Sequence, residues 1–164
     1  MHPGLKTIAL RPATVADDAF LFQVYASTRN AELEGIGWDD KQKNAFLSMQ
    51  FEAQRLSYGE GDNKIILLDG CAVGRILVRR TDAEISLVDI ALLAEIRNGG
   101  IGTNLIQDLL EEAAVAGKPV RLHVLSASPA IRLYERLGFS RIVDDGMYTE
   151  MTWLPTSSLS SKIV

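Results

Sequence analysis

The residues of this chain most able to do chemistry lie in one run, Asp89-Ile90-Ala91-Leu92-Leu93-Ala94-Glu95-Ile96-Arg97-Asn98-Gly99-Gly100-Ile101-Gly102-Thr103. An apolar stretch there gives way to a glycine cluster and then to a helical pattern. The first turn of a helix carries unpaired backbone N–H groups and about half a positive charge. Glycines remove the side chains that would keep an anion away from those groups. Arg97 adds a formal charge beside the turn. The chemistry implied is the holding of a phosphate or similar anion. Spacing excludes two familiar forms of it. A Walker loop needs Gly, four residues and then Gly-Lys-Ser/Thr, and no lysine lies near. A dinucleotide fingerprint starting at Gly100 would put its third glycine at Leu105, and it belongs after the first strand of a βαβ unit. Here three strands that read as antiparallel come first. The plain alternative is a glycine turn that only connects strand to helix.

The elements that must position this turn follow from periodicity. Thr7-Ile8-Ala9-Leu10-Arg11 alternates and stops at Pro12, and Thr14 followed by Asp17 and Asp18 marks a helix start. Leu21, Val24, Tyr25 and Thr28 recur at helical spacing. A second helix over about 40–57 is expected to set Phe46, Met49, Ala53 and Leu56 along one stripe. Between them Glu34-Gly35-Ile36-Gly37-Trp38 holds an aromatic on a flexible joint, either a substrate lid or a loop whose Trp covers the core. After Gly59-Glu60-Gly61-Asp62-Asn63 the period changes. Residues 65–68 form a strand ending in the turn dipeptide Asp69-Gly70, 73–78 form the next, and 84–92 form a third. The third is apolar on both faces in its second half, which places it centrally in a sheet. Helical period returns from Gly100, with Ile101, Leu105, Ile106, Leu109, Leu110 and Ala113 on one face and Gly117 as the stop. A strand over Val120–Leu125 leads to a helix entered through Ser128-Pro129 and closed by Gly138, and strands over 139–143 and 148–154 end the pattern. The Ser-rich tail, 155–164, is expected to fray.

Composition sets the class. A chain of 164 residues, 47% apolar and 23% charged, fits one ordinary globular domain over residues 1–154 and excludes disorder and collagen-like structure. Seventeen Lys plus Arg against 21 Asp plus Glu leaves a net charge of -4, the wrong sign for a protein whose main partner is a nucleic acid backbone. Cys71 has no second cysteine to pair with, and His2 and His123 cannot make a zinc cluster without several carboxylates, so no metal is expected. No apolar run approaches the roughly 20 residues that span a bilayer, and Met1-His2-Pro3-Gly4-Leu5-Lys6 lacks the apolar core of a signal peptide. The expectation is a cytoplasmic protein with no membrane contact.

Arg97-Asn98-Gly99-Gly100-Ile101-Gly102 resembles the Q/R-x-x-G-x-G/A signature of the GNAT N-acetyltransferase superfamily. Ser128-Pro129-Ala130-Ile131-Arg132-Leu133-Tyr134-Glu135-Arg136-Leu137-Gly138-Phe139 is similar to that family's second motif, commonly N-x-x-A-x-x-x-Y-E-x-x-G-F. The resemblance spans roughly residues 7–153 and includes the order of elements. It implies an α+β fold, with a mostly antiparallel twisted sheet of about seven strands, splayed between the fourth and fifth, and about four helices on both faces. It also implies acetyl-CoA as co-substrate and a small-molecule or peptide amine as acceptor, attacking the thioester directly in a ternary complex. Similar enzymes are monomers or homodimers.

Residue by residue, the resemblance implies that the main chain of Ile90 and Leu92 pairs with the pantetheine arm as an added strand. The N–H groups of Arg97, Asn98, Gly99, Gly100, Ile101, Gly102 and Thr103 would cradle the pyrophosphate, with the Arg97 side chain near the phosphates. The Leu92 N–H would meet the thioester carbonyl as an oxyanion donor. Tyr134 would protonate the departing thiolate, since a phenol is protonated at neutral pH. Its spacing from Ile131 and Leu137 also suits a packing aromatic. Arg29, Glu32 and Trp38 fall in the region that lines the acceptor site in similar enzymes, where the two charges also read as helix surface.

The pattern departs from the family in three places. Ala94 stands where proline often follows the strand. Ser128 stands for the usual asparagine, giving a shorter or water-mediated contact to the pantetheine arm. Ser86 occupies the position of a glutamate that draws the amine proton through water in many members, and serine cannot act as that base. Glu84 shares the face of Ser86, Val88 and Ile90 one pleat further on, roughly 6 to 7 Å away, and is the candidate base through a water chain. Asp89 points to the other face, suited to pairing with an arginine. His123 shares a strand face with Arg121 and reads as a solvated or core-satisfied histidine. No G-x-S-x-G elbow makes a hydrolase triad of it with Ser126 or Ser128. Cys71, after a turn, reads as passive. A protein on this fold that binds acyl-CoA as a sensor, without turnover, is the alternative.

Overall fold

The computed structural model describes residues 7–58, 62–97 and 99–155, the side chains of residues 30–32, 57 and 58 excepted. His2, Gly59-Glu60-Gly61 and the residues beyond Pro155 lie outside them. Seven strands form one mixed sheet in the order β1-β2-β3-β4-β5-β7-β6. They are β1 (Ile8–Pro12), β2 (Asp62–Leu68), β3 (Cys71–Arg80), β4 (Ile85–Leu92), β5 (Val120–Leu125), β6 (Ser140–Asp144) and β7 (Tyr148–Trp153). Four helices accompany them, α1 (Asp18–Leu33), α2 (Asp40–Tyr58), α3 (Ile101–Ala116) and α4 (Ala130–Arg136). The chain forms two compact units, Met1–Leu77 with Asp89–Gly99 and Val78–Val88 with Gly100–Val164, and it crosses between them inside β3 and again inside β4.

The first unit is built by an antiparallel β1–β2 pair, with Ile8 opposite Leu68 and Leu10 opposite Ile66. β2 turns into β3 through Asp69 (φ 51°) and Gly70 (φ 86°). Two successive left-handed residues match the twist of a tight hairpin, which is why Asp-Gly stands there. Leu21, Tyr25, Leu33, Leu47, Phe51 and Ile65 make its core. The face of α2 differs from the expected stripe: Leu47 and Phe51 are buried, while Met49 and Leu56 are 63% and 84% exposed. Both stripes have helical spacing, and packing on α1 chooses between them, because Phe51 meets Phe22 and Tyr25 with ring centroids 5.5 and 5.4 Å apart.

Entry to α1 is fixed electrostatically. Asp17 closes a short 3-10 turn, accepts two bonds from Arg11 at 2.8 and 2.9 Å, and accepts the Thr14 N–H at 2.8 Å. The Arg11 guanidinium, with the Thr14 N–H, holds the Asp17 carboxyl well below the usual carboxylate range. A depressed folded-state pKa gives stability that is complete above the ordinary carboxylate value near 4 and is lost as pH falls toward the folded value. The urea midpoint of the protein is expected to drop on acidification below about pH 4. In Asp17→Asn the neutral-pH midpoint is expected to be lower already and this acid slope to be smaller.

The second unit holds α3, whose buried residues are Ile101, Leu105, Ile106, Leu109, Leu110 and Ala113. Gly117 (φ 70°) ends the helix with its N–H on the Ala114 carbonyl. β5 pairs antiparallel with β7, and β6 continues beyond β7 with a register shift between Arg141 and Val143. β4 and β5 are parallel, and their register runs only from Ile85 opposite Val120 to Leu87 opposite Leu122. Past Leu87 the sheet is splayed.

Candidate functional site

Within the first unit the end of β4 is braced from two sides. Gly74 on β3 lies so close that a Cβ there would stand 2.3 Å from the Ala91 carbonyl oxygen and 2.8 Å from Leu92 Cδ2. The Leu93 N–H donates to the Val73 carbonyl at 2.9 Å. From the other side Arg97 Nε donates to the Leu92 carbonyl at 3.1 Å, and Ser27 Oγ on α1 accepts from the Ala94 N–H at 3.3 Å. Arg97 Nη2 also lies 3.5 Å from Ser27 Oγ. The Arg97 side chain, expected near an anion, is therefore spent in part on fixing the backbone that carries Ile90 and Leu92. Ala94, where proline often stands, begins a 3-10 turn, Ala94–Ile96, held by the Ile96 N–H on the Leu93 carbonyl at 2.9 Å.

Asp89 lies on the face away from Ser86 and does find an arginine: Arg75 Nε is 3.1 Å from Asp89 Oδ2. Burial pushes the Asp89 carboxyl up, against the attraction of Arg75 and Arg29. Arg29 lies over the Tyr25 ring at 5.0 Å. Trp38 packs edge-on to Phe46 at 5.3 Å against the core, the covering rather than the lid arrangement. The Glu32 side chain and Asn98 lie outside the described residues.

In the second unit α3 starts at Gly100, whose φ of 86° is one that L side chains rarely adopt. The N-cap residue is this glycine, which has no side chain of its own to bond the first-turn N–H groups. A Cβ at Gly102 would meet nothing within 4 Å, which leaves the approach to the turn open. Tyr134 is buried, 8% exposed, with its ring edge-on to Phe139 at 5.7 Å. Ser128 Oγ accepts the Ala130 N–H at 3.1 Å, so this hydroxyl caps the turn into α4. It stands two residues before Ala130, one fewer than the N-x-x-A spacing provides.

Glu84 is already engaged, because its carboxylate pairs with Arg121 and accepts the Ser86 hydroxyl at 3.2 Å. It also precedes the β4–β5 register, whereas the splay opens after it. The sequence reading missed a second carboxylate pair on the same face. His123 Nε2 lies 3.5 Å from Glu150 Oε1. Only the β5–β7 register, which places these two residues opposite each other, brings them together. Among the described residues no group of three or more His, Cys, Asp and Glu side chains is placed to hold a metal ion, and no helix is long and apolar enough to cross a membrane.

The fold has counterparts among known proteins. The family model described as "Acetyltransferase (GNAT) family" matches residues 22–139. The chain belongs to the GNAT acetyltransferase family. Its glycine turn and Tyr134 both fall inside the matched span. The PaiA N-acetyltransferase of Thermoplasma acidophilum, solved in complex with coenzyme A, is 18% identical with a TM-score of 0.69, over 90% of this chain and 99% of that one. The ribosomal-protein-S18-alanine N-acetyltransferase of Escherichia coli is 18% identical with a TM-score of 0.61, over 91% of this GNAT chain and 94% of its own. A GNAT family acetyltransferase of Elizabethkingia anophelis with acetyl-CoA bound is 14% identical with a TM-score of 0.56, over 90% and 97%. At these identities the likeness is one of fold.

Proposed function

We propose that this protein transfers the acetyl group of acetyl-CoA to a primary amine in a ternary complex, with no acyl-enzyme. The observation that carries the reading is the glycine start of α3 at Gly100, with open space at Gly102. Such a turn suits a pyrophosphate, as free N–H groups and the helix dipole meet its charge without a side chain in the way. Acetyl-CoA supplies an activated acyl thioester. The main chain of Ile90 and Leu92 holds the pantetheine arm by strand-like hydrogen bonds, and the N–H groups from Arg97 to Thr103 hold the phosphates. The Leu92 N–H, kept in place by Gly74 and Arg97, meets the charge that grows on the carbonyl oxygen during attack. The Tyr134 hydroxyl gives its proton to the leaving sulfur. No cysteine nucleophile is needed, and Cys71, exposed on β3, has no part in the reaction. The acceptor is a small-molecule or peptide amine, and the acidic net charge of -4 favours a cationic one.

Calorimetry of the purified protein with acetyl-CoA, CoA and ATP tests the reading. Micromolar binding of the first two and not of ATP is expected. Gly102→Glu, whose side chain has room and so leaves the fold intact, is expected to weaken CoA at least tenfold by setting a carboxylate at the anion site. Unchanged affinity in that variant would remove the pyrophosphate assignment.

A further inference from the structure

The geometry points to His123, backed by Glu150, as the group that takes the proton from the acceptor ammonium. The inference rests on the transfer reading above and supplies the base that Ser86 cannot be. Ser86 on β4 stands opposite Arg121 on β5, so the two share a sheet face, and His123 is the next β5 residue on that face. The last β4–β5 pair is Leu87 with Leu122, so His123 is the first β5 residue beyond the closed part of the ladder. It lies at the mouth of the splay, on the face where the family's glutamate would have been. Glu84 lies on the opposite, closed side of that ladder and is held by Arg121 and Ser86.

His123 also has the surroundings of a base. Its side chain is 59% exposed, accessible to an acceptor. Glu150 faces it from β7, with Oε1 at 3.5 Å from Nε2, while Glu150 Oε2 lies 3.8 Å from Arg121 Nε. A carboxylate anchored on one side by Arg121 thus stands against the imidazole on the other. Asp145, in the turn between β6 and β7, has its carboxyl lowered by the N–H groups of Tyr148 and Met147 and, less, by His123 nearby. The charged groups facing His123 are thus Glu150 from β7 and Asp145 from the turn, with Arg121 on its own strand and Glu84 beyond that arginine. Two carboxylates beside the base attract a cationic amine.

The step balances without a co-reactant. The ammonium gives one proton to the neutral imidazole of His123, and the freed amine lone pair forms the N–C bond to the thioester carbonyl. The C–S bond then breaks. A second proton leaves the nitrogen and ends on the CoA sulfur by way of Tyr134, while the imidazolium returns the first to solvent.

The test uses full-length wild type, His123→Gln and His123→Ala. Each is measured with acetyl-CoA and a panel of primary amines: ethylamine, 2,2,2-trifluoroethylamine, spermidine, an N-terminal alanine peptide and their weakly basic analogues. Thiol release reports turnover across pH, and calorimetry in the same samples reports CoA binding. His123→Gln is expected to keep CoA affinity, to lose about 100-fold in kcat with amines that are ammonium ions at neutral pH, and to lose less than about threefold with those already neutral. The acidic limb of its pH–rate profile is expected to disappear, and added imidazole is expected to restore rate to His123→Ala. An unchanged rate and limb in His123→Gln, or an equal loss with both amine classes, overturns the inference and leaves the transfer reading standing. Wild type that binds acetyl-CoA yet acetylates no amine of the panel overturns both.

Discussion

Asp89→Ala is expected to destabilise the protein by about 3 kcal/mol, read as a fall in the urea midpoint at unchanged slope. Arg75 is 5% exposed on β3, and its Nε lies 3.1 Å from the Asp89 carboxylate. Removing that carboxylate takes from a buried guanidinium the carboxylate it is paired with, and breaking a buried pair costs more than the pair itself contributes. The lower end of the usual range is expected because the Asp89 side chain is still 27% exposed, so water reaches the site. The companion experiment separates charge from packing. Arg75→Met with Asp89→Leu removes both charges and fills the site with apolar side chains, and it is expected to recover most of the loss. If the double variant is as unstable as Asp89→Ala, the pair matters for shape and not for charge balance.

Gly74→Ala is expected to cost about 2 to 3 kcal/mol of stability and to lower transfer by about 100-fold. The added methyl would sit 2.3 Å from the Ala91 carbonyl oxygen, 2.8 Å from Leu92 Cδ2 and 3.1 Å from Leu92 Cα. Two of these are main-chain atoms, which cannot swing aside, so β3 and the end of β4 must part. Leu92 is the proposed oxyanion donor, and a displacement of about 1 Å at such a group costs on the order of 100-fold. Gly100–Thr103 belong to the other compact unit, and the three atoms nearest a methyl at Gly74 all belong to Ala91 and Leu92. The expected signature is therefore a fall in kcat with CoA affinity by calorimetry kept within about threefold. Equal losses in both would show that the variant disorders the whole strand rather than shifting its end.

The sequence by itself determined the local structure around the turn. Gly70, Gly100 and Gly117 stand at φ of 86°, 86° and 70°, and a left-handed residue at a strand or helix end is specified within a few positions. The α3 stripe from Ile101 to Ala113 is buried as its period requires, and the apolar run of β4 stands fourth of seven strands. The family signature was legible for the same reason, since both motifs are short contiguous strings. Tertiary structure alone decided which residues far apart in the chain face one another. Period cannot choose between Leu47 with Phe51 and Met49 with Leu56, because both sets recur at helical spacing until α1 packs on one of them. Nor can alternation along β5 show that Glu150 lies opposite His123, or that the ladder to β4 ends at Leu122. Strand register is fixed by the pairing of whole elements, whereas a strand's own residues fix only which side chains share a face. The proposed pyrophosphate turn could therefore be read from one stretch of sequence, while the Arg75–Asp89 pair and the His123–Glu150 pair exist only once the sheet has formed.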